Sequence, residues 1–131
     1  MIGLDTNVLV RYIMQDDAKQ AAKATKLIDS LSPDAPGFVT LVSVIELVGV
    51  LSSCFDLSRE QIAQALDALL RAKQLVVDHA DQVVRALRTY SSSSADFADC
   101  LIERTASSAG CAKTMTFDVA ASKQAGMTLI Q

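Results

Sequence analysis

The chain has 131 residues, enough for one domain that hides roughly two-thirds of its unfolded surface. Hydrophobic residues make up 50%, charged residues 21%, and tryptophan is absent, a composition that excludes a disordered chain and describes a globular one with a well-supplied core. A formal net charge of −3 excludes a protein that grips nucleic acid by bulk positive charge, while leaving room for a local basic rim around an acidic centre.

Residues 2–4 form a short apolar run ended by Asp5-Thr-Asn7, and Val8, Leu9, Tyr12 and Ile13 then fall on one helical face. From Ala18 to Leu31, the residues Ala21, Ala24, Ile28 and Leu31 make an apolar stripe, with Lys19, Lys23 and Lys26 elsewhere as a solvated face. Ser32-Pro-Asp-Ala-Pro-Gly37 breaks that helix before a β-like run at Phe38–Thr40. Val42 to Cys54 is apolar on most sides, as in a helix packed in the middle of a structure, and Ser58-Arg-Glu-Gln61 makes a capping box for a helix facing inward through Ile62, Leu66, Leu69 and Leu70. Leu75–Val77 reads as a strand, and Val83, Val84, Leu87 and Tyr90 mark another helix that the serine run Ser91–Ser94 ends. Ala95 to Ala109 is helical up to Gly110 as its C-cap, and Ala112–Phe117 and Thr128–Ile130 are strands around a short helix at Val119–Gln124. Strands alternating with helices predict an α/β fold, with a mainly parallel sheet covered by helices on both faces and a single domain over residues 1–131.

Cys54, Cys100 and Cys111 form no close pair and leave one over in any disulfide scheme, which suits a reducing cytoplasm. The start of the chain lacks a basic segment followed by an apolar core, and no apolar run reaches bilayer length, so neither a signal peptide nor a membrane span is expected.

Acidic residues sit at the ends of apolar runs or within them: Asp5, Glu46, Asp99 and Asp118. Unpaired buried charge costs several kcal/mol, and like charges about 4 Å apart at an effective dielectric near 20 repel by about 4 kcal/mol per pair. A divalent cation resolves both costs, and an all-oxygen set suits Mg²⁺ or Mn²⁺ rather than zinc. In a parallel sheet, sites open where strands cross into helices, which is where Asp5 and Asp118 lie. Glu46 reaches the same region from an early turn of its helix, and Asp96 and Asp99, three apart, share a helix face.

The segments Leu4-Asp-Thr-Asn-Val-Leu-Val-Arg11, Ser43-Val-Ile-Glu-Leu47, Ala95-Asp-Phe-Ala-Asp-Cys-Leu-Ile102 and Thr114-Met-Thr-Phe-Asp118 resemble the acidic motifs of PIN-domain ribonucleases, in particular the VapC toxins of type II toxin–antitoxin pairs. The likeness covers essentially the whole chain in order. It implies a three-layer α/β/α sandwich whose carboxylates hold one or two Mg²⁺ or Mn²⁺ ions and hydrolyse RNA phosphodiester bonds. Asp5, Glu46, Asp99 and Asp118 match the family's acidic positions and Asp96 an additional one, with Asn7 and Thr116 as groups that orient the ligands by hydrogen bonds. It also implies a VapB-like antitoxin as partner, a homodimer, and a cytoplasmic location. Arg11, close to Asp5, is a candidate contact for phosphate or for the inhibitor.

Plainer roles compete at each position. Asp5 is placed to cap a helix, Glu46 to close a capping box with Ser43, Asp96 to complement a helix dipole, and Asp118 to make a turn. Asp99 lies deeper in its helix, where no cap explains it. His79, the single histidine, reads as a surface or turn residue, and Ser91–Ser94 as a loop and cap. Two other classes compete with this one. A haloacid dehalogenase-like phosphatase needs a second Asp where this chain has Asn7, and a catalytically silent PIN fold that only binds a partner shows no sign in the filled acidic positions.

Overall fold

A computed structural model describes residues 1–131, and the chain divides into two units, Met1–Asp78 and His79–Gln131. The first unit runs β1 (Ile2–Gly3), α1 (Thr6–Met14), α2 (Ala18–Asp29), β2 (Gly37–Val39), α3 (Leu41–Ser53), α4 (Arg59–Arg71) and β3 (Leu75–Val77). Its strands form a parallel sheet in the order β1-β2-β3, with Gly3 opposite Phe38 and Val39 opposite Val77. Parallel neighbours need long crossovers, and the helix pairs α1–α2 and α3–α4 provide them.

Local chemistry sets the helix ends. Asp17 caps α2 by accepting from the Gln20 amide at 3.0 Å, and Thr40 caps α3 by accepting from the Ser43 amide at 3.1 Å. The expected capping box of α4 is complete, with the Gln61 amide donating to Ser58 Oγ and the Ser58 amide to Gln61 Oε1. Gln15 ends α1 in the left-handed region at φ 52°.

Leu9, Ile28, Val39, Val44, Leu47, Leu51 and Leu66 are fully buried and form the core of this unit. The expectation that α3 is packed on most sides is met on one face only. Val44, Leu47 and Leu51 are fully buried, whereas Val42 is 66% exposed. The helical repeat seats only one stripe on the core, and an apolar composition does not say how wide that stripe is. Gly37 is needed where β2 passes under two side chains, because a Cβ there would lie 2.7 Å from Leu4 Cδ1 and 2.9 Å from Leu31 Cδ1.

The second unit runs α5 (Ala80–Ser92), α6 (Phe97–Ser108), β4 (Met115–Thr116), α7 (Val119–Gln124) and β5 (Thr128–Leu129). Helices α5 and α6 pack together, burying Val83, Ala86, Phe97, Cys100 and Leu101, with the rings of Tyr90 and Phe97 edge to face at 5.7 Å. β4 and β5 are parallel, Thr116 opposite Leu129, and α7 is their crossover.

Several boundaries differ from those read in the sequence, α2 ending at Asp29, β2 lying at Gly37–Val39 and β5 ending at Leu129 among them, and two starts differ for a clear reason. The strand expected at Ala112–Phe117 is paired only at Met115–Thr116, since only those residues find partners on β5. The helix expected from Ala95 starts at Phe97, because the serine run competes for the backbone: Ser93 Oγ donates to the Thr89 carbonyl at 2.7 Å and accepts from the Ala95 amide at 3.2 Å. Gly110, in the left-handed region at φ 100°, follows α6 as expected. His79 opens α5 from a left-handed turn at φ 51° and makes no side-chain cap. The expected α/β class with parallel strands is met. No helix is long and apolar enough to cross a membrane.

Candidate active site

In the first unit, Asp5 follows β1 and caps α1, its Oδ1 accepting from the Thr6 amide at 2.8 Å. The plainer role of Asp5 is therefore real, and it fixes this exposed carboxylate at the strand-to-helix crossing. Thr6 is 7% exposed and its hydroxyl reaches across the unit, 2.9 Å from Glu46 Oε1 and 3.2 Å from Ser43 Oγ. An ionised carboxylate only accepts, so Thr6 gives its proton to Glu46 and its lone pair is free for the Ser43 hydroxyl. This link, from a buried Thr6 to an exposed Glu46, ties the start of α1 to α3 across 40 residues of sequence and orients Glu46 beside the Asp5 turn.

The capping box proposed for Ser43 and Glu46 does not form. Thr40 is the cap of α3, Ser43 is already the third residue inside the helix, and Glu46 lies almost a turn further on, where its carboxylate accepts from Thr6 instead. Thr6 and Ser43 were missed as positioning groups by the sequence reading. The (i, i+3) spacing of Ser43 and Glu46 was a usable hint, but the partner on α1 is invisible without the fold.

Asn7 is exposed and lines a groove of about 330 Å³ between α1 and α2, together with Arg11, Gln20, Lys23 and Leu27. Arg11 is engaged there: Nε donates to Gln20 Oε1 and Nη1 to Asp16 Oδ2, both at 2.7 Å. Any phosphate that meets Arg11 therefore competes with Asp16 for it.

In the second unit, Asp96 occupies the N-cap position of α6 yet makes no side-chain cap bond. Asp99 is three residues on, in the first turn of α6 and not deep in the helix as expected, because α6 starts at Phe97. Asp118 caps α7, its Oδ1 accepting from the Ala120 amide at 2.8 Å and the Ala121 amide at 3.2 Å. Thr116 supports it from the strand end, with Oγ1 accepting from the Asp118 amide at 2.9 Å.

Burial first, then the charges of Asp96 and Asp118, push the Asp99 carboxyl above its ordinary value. Asp96 and Asp118 thus lie near enough to Asp99 for their charges to be felt there, and no basic side chain is among the hydrogen-bond partners of Asp118. The donors are all oxygen, so a hard divalent cation fits this set, relieving the repulsion and the desolvation together. No three His, Cys, Asp or Glu side chains converge closely enough to form a ready-made metal cage.

The PIN domain profile matches residues 2–126, and the chain belongs to that family. PIN domains are generally a nuclease fold, typically dependent on divalent metal ions, and PIN nucleases bind RNA. Comparison with curated proteins gives no match.

Proposed function

We propose that this PIN domain is a metal-dependent endoribonuclease, the VapC-type toxin of a type II toxin–antitoxin pair. The observation that carries the reading is the match to the PIN domain over residues 2–126, with Asp5 and Asp118 set at strand-to-helix crossings and Glu46 held by Thr6. Asp5, Glu46, Asp99 and Asp118 are the catalytic carboxylates, and with Asp96 they are the groups that would hold Mg²⁺ or Mn²⁺. When bound, the ion supplies positive charge to the phosphodiester and makes water a stronger nucleophile. The chain's own part is positional. Thr6 holds Glu46 by a hydrogen bond buried on the Thr6 side, Thr116 holds the backbone of Asp118, and the caps formed by Asp5 and Asp118 fix where their carboxylates stand. Asn7, exposed one helical turn from Arg11, belongs with the ligand-orienting groups of the resemblance.

The same reading makes the chain one domain over residues 1–131, a homodimer, cytoplasmic, and held silent by a VapB-like antitoxin that competes with RNA near Arg11. A single cooperative thermal transition and co-purification of a small antitoxin encoded beside it are the expected observations. A second reading, a PIN fold that only binds a partner, draws on the lack of a converged group of three acids.

The deciding experiment is cleavage of labelled tRNA and rRNA fragments by the wild type and Asp99→Asn, with Mn²⁺ and with EDTA. Cutting that needs Mn²⁺ and disappears in the variant is expected. Cutting that survives EDTA would sink the metal-dependent reading, and RNA bound without being cut would favour the binding-only one.

A further inference from the structure

Phe117 is 81% exposed, more than any other large apolar side chain, Met1 at 74% included. It is also the one exposed ring among the phenylalanines and tyrosines, since Tyr90 and Phe97 are buried against each other and Tyr12, Phe38 and Phe55 are half-buried. Its backbone is pinned on both sides. The Thr116 carbonyl accepts from the Ile130 amide at 2.8 Å, and the Asp118 amide donates to Thr116 Oγ1 at 2.9 Å while the Asp118 carboxylate caps α7. A ring carried on a fixed backbone leaves only its own side-chain rotations to be ordered when a ligand covers it.

We infer that Phe117 is a stacking platform for an unpaired RNA base next to the phosphate handled at Asp118, a positioning residue resting on the nuclease reading above. Phe117 directly precedes Asp118, with Cα atoms about 3.8 Å apart, so a phosphate that a cation holds near Asp118 keeps its nucleoside in the neighbourhood of the ring. The charge of −3 offers RNA no bulk attraction, so affinity needs an uncharged contribution, and stacking on an aromatic ring supplies one for any base. Only a base splayed out of a helix presents its face, which makes the preferred substrate single-stranded. A protein partner fits less well: with Met115 and Val119 beside it at 47% and 51% exposure, one ring offers far less than the roughly 800 Å² per side of a stable interface.

The chain has no tryptophan, so Phe117→Trp in an Asp99→Asn background carries a single reporter indole in a protein that does not consume its ligand. The probes are a mixed-sequence single-stranded RNA of about 12 nucleotides and the same RNA annealed to its complement. The single strand should quench the indole and the duplex should leave it nearly unchanged. In the otherwise wild-type protein, Phe117→Leu keeps apolar bulk but should raise KM about 5- to 150-fold with kcat nearly held, as loss of one stacked base implies, and Phe117→Tyr should restore it. An indole unmoved by an RNA that the wild type cuts, or Leu performing as well as Tyr, overturns the platform alone. A blue shift that grows with protein concentration and ignores RNA assigns the ring to a protein contact and also overturns it. Quenching by RNA that the wild type fails to cut supports the platform and overturns the nuclease reading.

Discussion

Asp99 is the residue whose charge costs the fold most clearly. Its folded pKa lies above the ordinary 3.8, so between those values the folded state holds more protons than the unfolded state and stability falls as pH rises. Above the folded value the loss is complete. Asp99→Asn should therefore raise the melting temperature of the metal-free protein at neutral pH, a gain that shrinks as pH falls toward 3.8. The favourable helix-dipole contact of a first-turn acid works in the other direction, but the net shift is upward, so burial and, after it, the charges of Asp96 and Asp118 outweigh it. Differential scanning at several pH values checks this, and a variant no more stable than wild type at pH 7 would contradict it. Thr6 makes the second case. Thr6→Val keeps shape and burial but removes the proton given to Glu46, and RNA cleavage should drop about 10- to 100-fold, as for other groups that orient a ligand, while Thr6→Ser retains most of it. Unchanged kinetics in the Val variant would remove Thr6 from the site.

At the scale of elements, the helix starts separate stability from chemistry. Ser58→Ala removes the hydroxyl that accepts from the Gln61 amide and leaves the backbone amide at 58 still able to donate to Gln61 Oε1, and loss of such a cap costs about 1 kcal/mol. Chemical denaturation should show that loss, with metal-dependent activity unchanged because α4 carries none of the acids. Gly37→Ala tests the crossing of β2 under Leu4 and Leu31. The added methyl would sit at 2.7 and 2.9 Å from their Cδ1 atoms, and overpacking of this kind costs about 1–3 kcal/mol. A neutral or stabilising result in denaturant would mean that both leucines step aside freely. The elements themselves were well marked in sequence where an end carries its own chemistry. Ser58 and Gln61 announced α4, and Leu75–Val77 and Val119–Gln124 have the expected bounds. They were misread where an end depends on partners: β4 stops at Thr116 because β5 offers nothing further, and α6 starts late because Ser93 takes the Ala95 amide.

For the whole molecule, the acids are divided between the two units, Asp5 and Glu46 within Met1–Asp78 and Asp96, Asp99 and Asp118 within His79–Gln131. Metal that binds only the folded chain adds RT ln(1 + [L]/Kd) to stability, about 2.7 kcal/mol at one hundred times Kd. Mn²⁺ or Mg²⁺ should accordingly raise the melting temperature, EDTA should reverse it, and Asp99→Asn should respond less than wild type. A melting temperature indifferent to both ions at millimolar concentration would count against the carboxylates as a metal set. The sequence by itself determined the α/β alternation, the PIN resemblance and the acidic positions, because period, caps and motif spacing are local properties of the chain. Only the tertiary structure decided that Thr6 rather than Ser43 holds Glu46, that Asp96 leaves its cap unmade beside Asp99, and that Phe117 stands in solvent. Each of these is set by a neighbour distant in sequence or by exposure, and neither is encoded in the residues immediately alongside.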